Sequence, residues 1–265
     1  GADIERALLR SAPVSPAPPV LEATTSPHPE ETTATTAQRA TSAERAASMR
    51  QAIANLMSRS AREIPHYHLA LDMDIEPALL WLAAENERRP VADRLLPAAL
   101  LLKAAALAAA EVPAVNGHWV DGSFVPGEGV HLGVAVSLRT GGLIAPAIHD
   151  ADRLTLTEVM ASLRDLVSRA RTGRLKGSEL TGATITVTNL GDNGVDLVHG
   201  VIYPPQVALV GFGRIGERPW AEHGLLGVRR VVTGTLAADH RASDGMVGAR
   251  FLDAVARHLH APEEL

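Results

Sequence analysis

Cysteine is absent from the 265 residues. That excludes disulfides, thiolate metal sites and a cysteine nucleophile. Any thiol chemistry must use a thiol brought by a substrate. Aromatic residues make up only 3% of the chain, too few for surfaces that stack nucleic-acid bases. Positive charge is not in excess either. The formal net charge is −5, which leaves no electrostatic footprint for nucleic acid. Long apolar runs are missing: none reaches the roughly 18 uncharged residues of a membrane-spanning helix. The longest, Leu95 to Ala110, is interrupted by Lys103 and rich in Ala, so it reads as a buried helix. No basic-then-apolar leader opens the chain. It begins Gly1-Ala2-Asp3-Ile4 without an initiator Met, and is read as a fragment or processed product.

What is present is apolar mass. Hydrophobic residues are 46% of the chain, enough to bury a core in one large domain or two small ones. Asp3 to Arg10 reads as a short helix, with Ile4, Ala7, Leu8 and Leu9 on one side. Pro13, Pro16, Pro18, Pro19, Pro27 and Pro29 follow among Ala, Thr, Ser and Glu. That composition predicts a linker partly extended by its prolines. The main domain is expected to start near Ala43. Met49, Ile53, Leu56 and Met57 space like one face of a helix that ends before Ile64-Pro65. His66 to Asp74 alternates as a strand does. Helices are predicted at Glu76 to Glu87, Leu95 to Ala110, Leu156 to Arg171 and Val247 to His260. Val130 to Ser137 and Leu143 to Ala147 read as strands joined through Gly141-Gly142, a hairpin signal. Further strands are predicted at Ala183 to Asn189, Gln206 to Gly211 and Arg229 to Ala237. Helices and strands mix without strict alternation, which predicts an α+β domain with a mixed sheet.

Four segments could carry chemistry. Gly211-Phe212-Gly213-Arg214-Ile215-Gly216 matches the dinucleotide fingerprint in form, but Glu217-Arg218-Pro219 follows where a helix should start. It reads better as a strand running into a turn. His66 and His68 would share one face of a strand and could bridge a metal. No third ligand is spaced nearby, so hydrogen-bonded structural histidines are the preferred reading and no metal is expected. Asp239-His240-Arg241-Ala242-Ser243-Asp244-Gly245 lies between a strand and the last helix, where catalytic groups are commonly mounted. A neutral His240 could take a proton from a thiol near neutral pH. Asp244 could fix the turn or accept from Arg241. The competing reading is a helix cap at Ser243 or Asp244 with a structural salt bridge. Finally, Ile185 to Gly191 is a strand entering a Gly-rich turn, with Thr188 and Asn189 at its end. A Thr hydroxyl there could donate to a developing oxyanion, or bond its own backbone.

In order along the chain, these segments resemble the catalytic domain of dihydrolipoamide acyltransferases, the E2 component of 2-oxo acid dehydrogenase complexes. Ile64-Pro65-His66 before an alternating strand resembles the family's entry motif. Asn116-Gly117-His118-Trp119 stands for its Asn-x-x-Trp. Gly133-Val134-Ala135-Val136, then Gly142-Leu143-Ile144-Ala145-Pro146, resembles its central hairpin. Thr184 to Gly191 resembles its Phe-Thr-x-Ser-Asn-x-Gly strand, and Pro204-Pro205-Gln206-Val207-Ala208 the segment after it. The Asp-His-Arg-x-x-Asp-Gly motif is complete at 239–245.

The resemblance implies a chloramphenicol-acetyltransferase-like α+β fold, a two-layer sandwich assembled as trimers. It implies residues 1–11 as the remnant of a peripheral-subunit-binding domain, 12–42 as a flexible linker and 43–265 as the catalytic domain. It implies acyl transfer between dihydrolipoamide and coenzyme A. His240 would be the general base, Thr188 from a neighbouring subunit the oxyanion donor, and Asp244 the holder of the loop. Asn189, Arg214 and Ser137 would contact coenzyme A, which is a substrate. The lipoyl group would sit on a separate upstream domain outside this chain. Implied partners are further copies of the chain (a homotrimer, with a larger cubic assembly as the alternative), the E1 and E3 components and the lipoyl domain. No nucleic acid or membrane is implied, and the location is cytoplasmic, of bacterial type. The alternatives are a small-molecule acyltransferase of the chloramphenicol type and a non-catalytic core subunit. Three departures stand out. Thr188 replaces the usual Ser, keeping the hydroxyl but stiffening χ1. Leu82 stands where an Arg is frequent, and Arg214 is expected to supply the charge instead. The chain ends Ala261-Pro262-Glu263-Glu264-Leu265, where two Glu residues disfavour apolar docking of one trimer on another.

Overall fold

The computed structural model describes residues 31–138, 142–175 and 177–265. The Asp3 to Arg10 helix, the proline-rich stretch to Pro29 and Gly141 lie outside them. By contacts the chain divides into Gly1–Ala43 and Glu44–Leu265. The elements run α1 (Glu31–Glu63), β1 (His66–Asp74), α2 (Glu76–Glu87), α3 (Pro97–Glu111), β2 (Gly117–Val120), β3 (Ser123–Pro126), β4 (Leu132–Val134), β5 (Val136–Ser137), β6 (Leu143–Ile144) and β7 (Ala147–Ile148). They continue with α4 (Leu156–Thr172), α5 (Gly177–Thr181), β8 (Ile185–Asn189), β9 (Ala208–Phe212), β10 (Gly216–Glu222), β11 (Leu225–Asp239) and α6 (Gly245–His260). Among the described residues, no helix is long and apolar enough to cross a membrane.

The expected α+β fold with a mixed sheet is what forms. The main sheet has the order β1-β11-β9-β8-β4-β7, with β10 on β11. β8 runs parallel to both β4 and β9, and the other pairs are antiparallel. One face packs against helices. Met73, Leu236, Val210 and Phe212 from the strands join Leu100 and Ala104 of α3 and Phe251 and Val255 of α6 in one buried cluster. Ala dominates α3 because that helix lies close to its neighbours, and Ala99, Ala104, Ala105 and Ala108 are fully buried. Lys103 survives in it because its ammonium donates to the Asp152 carbonyl at 2.8 Å. The other sheet face is covered by the segment before β9. There Thr235 donates to the Val198 carbonyl, and Ser60 of α1 donates to the Ile202 carbonyl at 2.6 Å.

Helix ends follow local chemistry. Thr155 and Glu158 close a capping box on α4, and Gly173 ends it at φ 69. Differences from the expected elements have equally local causes. α1 begins at Glu31, so residues 31–42 of the expected linker are helical. No proline or glycine occurs between Glu31 and Glu63 to stop it. The strand expected at Val130 to Ser137 breaks at Ala135, whose N–H turns to the Val187 carbonyl at 2.9 Å. β4 then pairs with β7, and β5 with β6. Two hairpins appear that were not expected. β2–β3 turns through Asp121 (φ 48) and Gly122 (φ 79), and β10–β11 through His223 (φ 50) and Gly224 (φ 78). Both central residues have positive φ, which matches the right-handed twist of paired strands.

Glu76 ties the start of α2 to β11. Its carboxylate accepts from Arg230 Nε at 2.8 Å and from a terminal guanidinium nitrogen at 2.7 Å. Those bonds hold the Glu76 carboxyl down at about 2. A carboxyl depressed on folding adds stability above its unfolded pKa, and that stability is lost as pH falls through the folded one. Between about pH 4.5 and 2, Glu76→Gln should therefore lose less melting temperature than the native chain. Parallel melting curves across that window would reject the assignment.

Candidate active site

The sequence from β11 into α6 builds a loop with almost no slack. Asp239, the last residue of β11, is fully buried. Its carbonyl accepts from the N–H groups of Ala242 and Ser243 at 3.0 and 3.1 Å. Its carboxylate accepts from the Arg241 backbone N–H at 2.9 Å, from Arg241 Nε at 2.9 and 3.1 Å, and from a terminal nitrogen at 2.6 Å. The Arg241 guanidinium lies over the Trp119 ring, 4.6 Å from its centroid, a cation–π contact. Arg241 is thus spent on Asp239. Asp244 does not bond it, as had been considered, but caps α6 by accepting from Val247 N–H at 3.0 Å.

His240 sits between these fixed points. Its own N–H donates to the Pro65 carbonyl at 2.9 Å, which ties the loop to the start of β1. The side chain is exposed. Its ring meets Tyr67 edge to face, with centroids 5.2 Å apart and planes at 68°. Among the described residues neither imidazole nitrogen has a hydrogen-bond partner. The Tyr67 hydroxyl pairs with the Ser243 hydroxyl at 2.8 Å. Burial pushes the Tyr67 phenol above its ordinary pKa, against the opposing effect of the Ser243 bond.

His66 takes the structural role preferred for it. Nδ1 lies 2.9 Å from the Ile64 carbonyl, and Nε2 is 3.2 Å from the Ile202 N–H that donates to it. Both nitrogens are occupied in one neutral tautomer. His68 stacks on His66 and meets His199 edge to face. Burial first, then the two neighbouring imidazoles, lowers its pKa.

Strand alternation separates the other predicted residues. Val187 and Asn189 face the helices, and Thr186 and Thr188 face the opposite side. Thr184 and Thr186 spend their hydroxyls on Asn116 and Gln206. The Thr188 hydroxyl has no partner among the described residues. Asn189 and Ser137 line one groove of about 790 Å³ between α3, α4 and the sheet, with Val187, Phe212, Arg164 and Arg171. Thr188 is not part of it. Arg214 is not there either. Its guanidinium pairs with Asp196, beside a separate depression with Asp72, Arg218 and Thr233. Leu82 is itself a core residue. Of the three residues expected to contact coenzyme A, only Asn189 and Ser137 come together.

The register also sets His240 and Thr188 apart. Thr188 pairs with Gly211, which pairs with Thr235, and His240 lies just past the end of β11. At about 3.4 Å per residue and 4.8 Å per strand, roughly 20 Å separates them in one chain. Within one chain they do not come together. The residues missed from sequence are Tyr67, Trp119 and the buried Asp239 carboxylate. Trp119 was quoted as a motif, but its partner Arg241 lies far along the chain.

Known proteins can now be set beside this geometry. The family model for the 2-oxoacid dehydrogenases acyltransferase (catalytic domain) matches residues 38–265. The chain is 35% identical over 213 residues to the dihydrolipoyllysine-residue acetyltransferase component of the pyruvate dehydrogenase complex of Zymomonas mobilis, covering 80% of this chain and 48% of that protein. It is 30% identical over 252 residues to the lipoamide acyltransferase component of the branched-chain alpha-keto acid dehydrogenase complex of Bacillus subtilis, covering 94% and 59%. The crystal structure of a probable dihydrolipoamide acetyltransferase from Listeria monocytogenes superposes with a TM-score of 0.76 at 28% identity, over 80% of this chain and 91% of that one. The chain spans about half the length of the curated relatives it matches. With the family match running from the first part of α1 to the last residue, the chain belongs to the 2-oxoacid dehydrogenase acyltransferase catalytic-domain family.

Proposed function

We propose that this chain moves an acyl group between dihydrolipoamide and coenzyme A, as the core of a 2-oxo acid dehydrogenase complex. The observation that carries the reading is His240: an exposed imidazole, both nitrogens free of partners among the described residues, on a loop locked at Asp239, Arg241 and Asp244. Such a group can exchange a proton with a substrate without first breaking a protein hydrogen bond. In the forward step His240 takes the proton of the coenzyme A thiol. The thiolate attacks the carbonyl carbon of the acyl-dihydrolipoamide thioester. The Thr188 hydroxyl of a neighbouring copy donates to the resulting oxyanion. Collapse breaks the old carbon–sulfur bond, and the departing dihydrolipoamide thiolate recovers the proton from His240. Ser137 and Asn189 line the groove assigned to coenzyme A.

The same reading places residues 1–11 in a peripheral-subunit-binding domain, 12–42 in a linker whose last part, 31–42, is the helical opening of α1, and 43–265 in the catalytic domain. It assigns a trimer, with a cubic assembly as the larger alternative, and a cytoplasmic location. The E1 and E3 components and a lipoyl domain are the partners. A panel of acetyl-, branched-chain- and succinyl-dihydrolipoamide donors with coenzyme A as acceptor tests the activity. Transfer from at least one donor is expected. No transfer from any of them, with folded assembled protein, would overturn the reading.

A further inference from the structure

We infer that Tyr67 is a positioning residue for the base, its ring holding the His240 imidazole in the orientation from which the thiol proton is taken. The inference rests on the assignment of His240 above and adds a residue to it.

Two histidines near the site are held in contrasting ways. His66 is clamped by hydrogen bonds at both ring nitrogens. That fixes the ring but leaves no nitrogen for a substrate. His240 has no such bond among the described residues, so nothing at its nitrogens sets the ring's rotation. What touches the ring is Tyr67, edge to face at 5.2 Å and 68°. Aromatic pairs favour this arrangement because the edge of one ring meets the electron-rich face of the other. An orienting contact of this kind leaves both imidazole nitrogens open, and a proton-exchanging group needs that.

Tyr67 is itself well seated. It pairs with Ala238 across β1 and β11, next to the strand end that carries the loop. A Cβ on Gly248 of α6 would come within 2.9 Å of its ring, so that glycine leaves the space the ring fills. Its hydroxyl ties to Ser243, on the far side of the same loop. The ring and the hydroxyl therefore have separable tasks: the ring meets the imidazole, and the hydroxyl anchors the loop.

The test compares Tyr67→Phe, Tyr67→Leu and Tyr67→Met in the acyl-transfer assay on the assembled protein, with melting curves for each. Loss of the ring should lower kcat roughly three- to tenfold with both KM values unchanged, because only the base is misaligned. Phe keeps the ring and should stay within about twofold of the native kcat. Met fills the space without a ring, and decides the matter if the Leu chain fails to fold. The inference is overturned if the ringless variants match native kcat, or if Phe falls as far as they do. A native chain that transfers acyl groups alongside an inactive His240→Ala chain keeps the parent assignment standing in either case. If His240→Ala retains full activity, the parent assignment fails and this inference falls with it.

Discussion

Neither His240→Ala nor Thr188→Val should transfer acyl groups at a useful rate, yet assemblies of the two chains mixed should recover activity. The expected single-variant losses are large. A missing general base costs about 10²-fold or more, and a missing oxyanion donor about 10² to 10³-fold. Recovery on mixing follows from geometry. Thr188 and His240 are separated by two strand spacings and several residues of β11 in one chain, so the proposed site draws one of them from each of two copies. In a randomly mixed closed trimer, about a quarter of the sites pair an intact His240 with an intact Thr188. Mixed assemblies prepared by joint refolding, assayed beside each variant alone, should show about that fraction of native activity. If mixed and unmixed samples are equally dead, the shared site is wrong. Thr188→Ser should be close to native, since the hydroxyl is retained and only a methyl group is lost.

The second large effect is expected at Asp239, which touches no substrate in this scheme. Its fully buried carboxylate holds Arg241 and its carbonyl holds the two following N–H groups. Asp239→Ala removes the acceptor and leaves Arg241 stranded over Trp119. Breaking a buried pair by deleting one partner costs about 3 kcal/mol. For a domain of this size that is a fall of about 6 to 12 °C in melting temperature. The rate should fall as well, since a shift of the base by about 1 Å can cost 10²-fold. Asp239→Asn keeps an oxygen acceptor but not the charge, and should lie between. A melting temperature within about two degrees of native for Asp239→Ala would show that the pair does not hold the loop.

These two cases show what the sequence could and could not reveal. The Asp-His-Arg-x-x-Asp-Gly string was legible because the chemistry and the turn are local. What Asp239 does was not, since its task depends on burial and on a tryptophan over a hundred residues away. Thr188 was legible as a hydroxyl at a strand end. That it faces away from Asn189 also follows from strand alternation. Arg214 was placed by likeness to a neighbouring position, and only the fold reveals that it pairs with Asp196. The β2–β3 hairpin had a strong turn signal in Asp121-Gly122, yet its two short strands are absent from the expected elements. β10 is absent as well, because Pro219 and alternating charges blur its pattern. α1 was started too late, its Thr- and Ala-rich opening having the composition of the linker before it.

The β10–β11 hairpin has a consequence for how the protein comes into being. Leu225, Leu226 and Val228 stand out from its tip, largely exposed in the single chain. The outer edge of β10 has no strand beside it among those described. Open edges with apolar side chains are templates for indiscriminate pairing. On the proposed trimer, a newly made copy would be at its most vulnerable after folding and before it meets its own kind. Rapid synthesis from a strong promoter lengthens the queue of such half-finished copies, while slow synthesis at low temperature shortens it. In the proposed assembly, yield in the laboratory would depend on the race between correct association and promiscuous edge pairing as much as on the stability of the finished fold.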